Sequence, residues 1–147
     1  MPRPILITGV GQRAGLHLAR HFLQRGCPVI GTYRRDRPAL AGLEQSGTDL
    51  YRCDFYRAGD LETLIEVVTD RYRGLRAIIH NASDWLPDDG DLCPAEVMTR
   101  MLQVHVQGPY QLNLALSPLL QADADKPADI IHVGDDVSGR GSRNHIA

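Results

Sequence analysis

The segment TGVGQRAG, Thr8 to Gly15, is the first place where residue types and spacing could do chemistry. It follows a short apolar run and opens a stretch of helical periodicity, the context that a dinucleotide-binding turn requires. Gly9 permits a sharp turn, and Gly15 lets the following helix pack close to its strand. Backbone N–H groups at the start of that helix would then face a pyrophosphate, where the helix dipole favours negative charge. Arg13 stands where the G-x-x-x-G-x-G pattern has its middle glycine. The backbone there must therefore adopt a conformation open to a non-glycine residue, and the guanidinium would lie beside the phosphates.

A second cluster stands at the end of the next strand. An acidic residue ~20 residues beyond the glycines holds the ribose 2′-hydroxyl in sites that prefer NAD. Here Arg34, 19 residues beyond Gly15, and its neighbour Arg35 take that place. Their planar, permanently charged guanidinium groups suit a 2′-phosphate, so the expected cofactor is NADPH. Asp36 is the complication, because its carboxylate competes for a ribose hydroxyl.

These residues need a scaffold, and the chain supplies one by alternating apolar runs with helical periods. PILIT (4–8), PVIGTY (28–33), DLYRCDF (49–55), LRAIIH (75–80) and DIIHVG (129–134) read as strands. Between them lie a helix with Leu16, Ala19, Phe22 and Leu23 ending at Gly26, and a short helix over 39–45. A third carries Leu61, Leu64, Ile65, Val68 and Tyr72 behind an Asp60 cap, and a long helix runs from about Pro94 to Gln121. The pattern βαβαβαβαβ predicts an α/β doubly wound Rossmann fold in one domain over 1–147, its parallel sheet in the order 3-2-1-4-5.

Composition agrees with that class. The 147 residues are 43% hydrophobic and 23% charged, with a net charge of −2, values that speak against a disordered tail or a nucleic-acid clamp. No apolar run approaches the ~20 residues of a membrane span. The three cysteines, Cys27, Cys53 and Cys93, are odd in number and widely spaced, which argues against a disulfide framework and for a reducing cytoplasm. No histidine shows metal-ligand spacing, so no metal site is expected.

TGVGQRAG, Asp54 after the third strand, and His80-Asn81-Ala82-Ser83 after the fourth together resemble the short-chain dehydrogenase/reductase family. The T-G-x-x-x-R-x-G form paired with N-A-S is similar to its pteridine reductase branch. LITG, HNAS-x-W, VHV-x-x-PY, DIIH and RGS-x-x-HIA extend the likeness over essentially the whole chain. The resemblance implies that Thr8, Gly9, Gln12, Arg13 and Gly15 hold the diphosphate, with Tyr33, Arg34 and Arg35 at the 2′-phosphate. Asp54 and Phe55 would meet the adenine, and Asn81, Ala82 and Ser83 would line the adenosine and nicotinamide side. Trp85, four positions beyond Asn81, would cover a pterin ring with its flat face, Arg13 and Ser83 completing the substrate side. Where most members have a serine near the end of the fifth strand, this chain has Asp135-Asp136. The branch uses an aspartate there, and Asp135 is the expected proton-relay residue for reducing a C=N bond. His105 falls where the family often carries a relay asparagine, and its role stays open.

The resemblance further implies a Tyr-x-x-x-Lys pair whose tyrosine would fall one residue beyond Ala147. The chain is therefore expected to be truncated before the last strands and inactive as it stands. Full length, it would reduce a dihydropterin, 7,8-dihydromonapterin foremost and dihydrofolate besides, as a homo-tetramer or homo-dimer built partly on the long helix. Two other readings stand beside this one. One is a short-chain reductase of a carbonyl substrate, and the other is a non-catalytic NADP-binding regulator.

Overall fold

In the computed structural model, which describes residues 2–135, five strands and five helices alternate along the chain. The strands are β1 (Ile5–Ile7), β2 (Val29–Tyr33), β3 (Asp49–Arg52), β4 (Ala77–His80) and β5 (Asp129–His132). All pair in parallel, in the order β3-β2-β1-β4-β5 that the alternation predicts. Helices α1 (Arg13–Gln24), α2 (Pro38–Gln45) and α3 (Ala58–Arg71) form three of the crossovers. Helices α4 (Pro94–Leu102) and α5 (Gly108–Leu120), joined through a π-helical turn at Gln103–Gln107, form the fourth.

The two-residue period of the strands divides the core between the faces of the sheet. Ile5, Ile7, Val29, Ala77 and Ile79 pack with Ala19, Leu40 and Leu43 of α1 and α2. Leu6, Ile30 and Ile78 point the other way, against Leu61, Leu64 and Val68 of α3 and Leu112 and Leu116 of α5. Both faces of the central strands are covered, which is why β1 and β4 are apolar without alternation. Strand β5 is exposed along its length and forms one edge of the described sheet.

Several local expectations shift. The strands are shorter than the apolar runs, because pairing stops where the chain turns into each loop. Helix α1 starts at Arg13, ahead of its apolar stripe. Asp60 does not cap α3: the cap position is Arg57, and Asp60 sits in the first turn. Its carboxylate instead accepts the Asp54 N–H at 3.0 Å, tying the helix to the loop after β3. The long helix does run from Pro94 to Leu120, but its middle turn is widened to π geometry, and such turns recur at functional sites.

Candidate functional site

The parallel sheet brings the ends of β1, β2, β3 and β4 to one edge, where ligands bind in open α/β folds. The turn after β1 is built there. Gly9 has φ +77°, and an added Cβ would stand 3.0 Å from the Ala82 Cα. At Gly15 an added Cβ would meet the Gly9 carbonyl oxygen at 2.1 Å and the Asn81 Nδ2 at 2.5 Å, so only glycine lets α1 come this near the turn. Arg13 has φ +50°, within the small left-handed region that L-residues can enter. An arginine thus occupies the middle glycine's place while the backbone keeps its left-handed bend. The start of α1 has no side-chain cap and no acidic residue in its first turn, and that end is open to an anion.

The turn is held from below by side chains. Thr8, fully buried, accepts the N–H groups of Asn81 and Ala82 at 3.0 and 2.9 Å through its hydroxyl oxygen. The Asn81 amide donates to the carbonyls of Thr8 and Gly9 at 3.1 and 3.0 Å. Thr32, buried in β2, accepts the Gly9 N–H at 3.2 Å. Thr8, Gly9, Gly15, Asn81 and Ala82, scattered through half the sequence, therefore form one unit. Gln12 and Arg13 project from it into solvent.

The second cluster lies at the ends of β2, β3 and β4. Arg34 donates to an Asp84 carboxylate oxygen at 2.6 Å, the Tyr56 hydroxyl donates to that same oxygen at 2.7 Å, and the Trp85 N–H donates to the other at 3.0 Å. The guanidinium groups of Arg34 and Arg100 lie 5.4 and 5.5 Å from the Tyr56 ring centroid. Burial pushes the Asp84 carboxyl up, but the bonds from Arg34 and Tyr56 outweigh it and hold it below its ordinary value. The Asp84 bond keeps Arg34 above its ordinary value, and burial with Asp84 beside it pushes the Tyr56 phenol up to about 12. All three groups thus keep their usual charges near neutrality. Tyr33 is half-buried at the end of β2, while Arg35 and Asp36 are exposed.

Asp54 is half-buried and accepts the Tyr56 N–H at 3.0 Å. The Phe55 ring is buried in the core cluster, and a Cβ added at Gly108 would come within 2.7 Å of it. Burial pushes the nearby Cys53 thiol up to about 12, so it is no nucleophile. Ser83, Trp85 and Asp135 lie on loops beyond β4 and β5, each exposed. Asp136 and the RGSRNHIA segment lie outside the described residues. His105 sits in the π turn and donates Nδ1–H to the Met101 carbonyl at 3.0 Å. His80 is buried, donates Nε2–H to Asn113 at 2.7 Å and stacks on His132 at 4.6 Å between ring centroids. Among the described residues, no three His, Cys, Asp or Glu side chains group so as to hold a metal ion, and no helix is long and apolar enough to cross a membrane.

Sequence reasoning missed Thr32, Tyr56, Asp84 and Arg100. The period of β2 points Thr32 to the side of the glycine turn, a usable signal. Nothing local pairs Arg34 with a residue 50 positions away.

Comparison with known proteins agrees with this arrangement. The short chain dehydrogenase family profile matches residues 3–146. Dihydromonapterin reductase of Klebsiella pneumoniae is 49% identical over 146 residues, 99% of this chain and 61% of that protein. The Escherichia coli K12 protein of the same name is 44% identical over 146 residues, with the same coverage. The chain thus spans about three fifths of the length of these curated relatives. Among solved structures, NADPH-bound carbonyl reductase from chicken fatty liver superposes with a TM-score of 0.79 at 20% identity, covering 92% of this chain and 60% of that one. NADH-dependent reductase A1-R′ complexed with NAD gives 0.81 at 20% identity, covering 98% and 64%. At that identity the likeness speaks for the fold alone. The profile match across nearly the whole chain, together with the glycine turn that it folds into, shows that this protein belongs to the short-chain dehydrogenase family.

Proposed function

We propose that the intact protein is an NADPH-dependent reductase of a dihydropterin, 7,8-dihydromonapterin foremost and dihydrofolate besides. What carries the reading is the identity of 44–49% over 99% of the chain with proteins named dihydromonapterin reductase. The residues present fit a dinucleotide: the close approach of α1 to the turn that Gly15 alone allows, the uncapped start of α1, and Arg34 at the far end of the same edge.

In this reading Thr8 and Asn81 fix the turn while Gly9, Gln12, Arg13 and Gly15 hold the diphosphate. Tyr33, Arg34 and Arg35 receive the 2′-phosphate. Asp54 and the Phe55 backbone bound the adenine, since the Phe55 ring is in the core. Asn81, Ala82 and Ser83 line the adenosine and nicotinamide side. Trp85, with Arg13 and Ser83, orients the pterin, its exposed ring offering a flat stacking face. The reduced nicotinamide, when bound, supplies the hydride received at the pterin C6. Asp135 stands in the proton relay toward N5, and a Tyr-x-x-x-Lys pair in the full-length protein completes the relay.

One exposed stripe supports self-association. Met98, Leu102, Val106, Tyr110 and Leu114 recur every four residues along α4, the π turn and α5, and all five are large and exposed. Pairing through this stripe makes a homo-dimer or homo-tetramer, working in the cytoplasm. The test of the function is product identification. Full-length protein with NADPH and 7,8-dihydromonapterin is expected to form NADP and tetrahydromonapterin in equal amounts. Arg34→Ala with Arg35→Ala should weaken NADPH far more than NADH. No tetrahydro product, or equal loss for both cofactors, overturns the reading.

A further inference from the structure

We infer that Asp84 is a specificity-determining residue, one that competes with the cofactor's 2′-phosphate for Arg34 and so couples the nucleotide bound to the position of the Trp85 loop. The inference rests on the NADPH reading given above.

The guanidinium of Arg34 is already engaged. Its Nη1 donates to Asp84 at 2.6 Å, a charge-assisted bond at the short end of its range. Asp84 has two further donors, the Tyr56 hydroxyl and the Trp85 N–H, and its carboxylate ties β2, the loop after β3 and the loop after β4 at one point. The pair is neither sealed nor loose, with 31% of the Arg34 and 22% of the Asp84 side chain exposed, so an incoming anion can reach it. A 2′-phosphate gathered by Arg34 carries nearly two negative charges, and a carboxylate on the same guanidinium repels it. A ribose 2′-hydroxyl carries no such charge and can leave the pair closed. Asp84 therefore tempers the preference for the phosphorylated cofactor that Arg34 creates.

Release of Asp84 has a second effect, because its other oxygen accepts the N–H of Trp85. Freeing the carboxylate from Arg34 leaves it held by Tyr56 and Trp85 alone, and the loop gains freedom on the side where a substrate would stack. Asp84 is a positioning residue here and touches no reacting atom. Trp85 is the one tryptophan among these 147 residues, and a Trp85→Phe control in the full-length protein isolates its fluorescence as the report on this loop.

The experiment titrates the full-length protein with adenosine 2′,5′-bisphosphate and with 5′-AMP, in wild type and in Asp84→Asn. Affinity and acrylamide quenching of Trp85 are read together. D84N is expected to bind the bisphosphate roughly fivefold more tightly, the scale of a partly exposed ion pair, with 5′-AMP affinity unchanged. In wild type the bisphosphate should raise quenching of Trp85 and 5′-AMP should not. In D84N quenching should start at the raised level and stay there. Asp84→Ser removes the same charge and gives the same readouts if D84N does not fold. A bisphosphate preference that D84N leaves unchanged or weakens overturns the inference alone, the weakened case making Asp84 an orienter of Arg34. Equal binding of both nucleotides by wild type and D84N overturns the NADPH reading along with it.

Discussion

Thr8→Val tests the idea that the glycine turn is held from below by one hydroxyl. Valine keeps the shape and β-branching of threonine, so a fully buried site in β1's wake loses no packing volume. It loses the acceptor for the N–H groups of Asn81 and Ala82, which lie 3.0 and 2.9 Å away. A donor left without a partner costs about 1–3 kcal/mol. Asn81 and Ala82 are half-buried, which puts each below the middle of that range, at about 1.5 kcal/mol, and two donors together cost about 3 kcal/mol. The added methyl returns up to about 0.8 kcal/mol by burial, leaving a net loss of about 2 kcal/mol. In urea, with a slope of about 1–3 kcal/mol per molar, the unfolding midpoint should fall by about 1 M at unchanged slope. Thr8→Ser keeps the acceptor and loses only a methyl, so it should cost about 1 kcal/mol. Nucleotide affinity should fall in T8V and hold in T8S, because Asn81 supports the turn through both its backbone and its amide. A T8V protein within about 0.5 kcal/mol of wild type, or equal losses in both variants, would refute the reasoning.

Gly15→Ala forces a Cβ to 2.1 Å from a backbone oxygen that cannot swing aside, and should cost about 3 kcal/mol or more and abolish nucleotide binding by isothermal titration; near-normal binding would contradict the packing. Burial lowers the His80 pKa below its ordinary 6.5, so the neutral ring favours the fold at higher pH. The stabilisation is fully present above about pH 6.5 and is lost as pH falls through the lowered folded value; urea midpoints should drop between pH 7.5 and 5.5, and His80→Gln should flatten that drop. Leu102→Glu with Val106→Glu places charges in the exposed stripe on α4 and the π turn, and should reduce the proposed assembly to a smaller species by light scattering while leaving the monomer folded.

The sheet was legible because its information is local and periodic. Ile5, Leu6 and Ile7 form an unbroken apolar run, and such a run bounded by glycine and proline marks a strand covered on both faces. The glycine turn was legible for a different reason: few residue types tolerate the backbone at Gly9 or the contact at Gly15. What stayed hidden depends on long-range approach. Asp84 meets Arg34 only because β4 lies two strands from β2 across β1, a fact of topology and not of spacing. Asp60 looked like a cap because aspartate favours that position, but the chain enters α3 three residues earlier and its carboxylate finds the Asp54 N–H instead. The π turn at Gln103–Gln107 has no compositional mark, since its residues fit an α-helix equally well.

The most direct measurement is kcat/KM of the full-length protein with NADPH for 7,8-dihydromonapterin and for a small ketone, followed by loss of the reduced nicotinamide's absorbance. A pterin reductase turns over the dihydropterin with at least tenfold the efficiency of the ketone, and Trp85→Ala removes that advantage while leaving the NADPH affinity in place. Ketone turnover exceeding dihydropterin turnover, or no turnover of either beside intact NADPH binding, would contradict the proposed function.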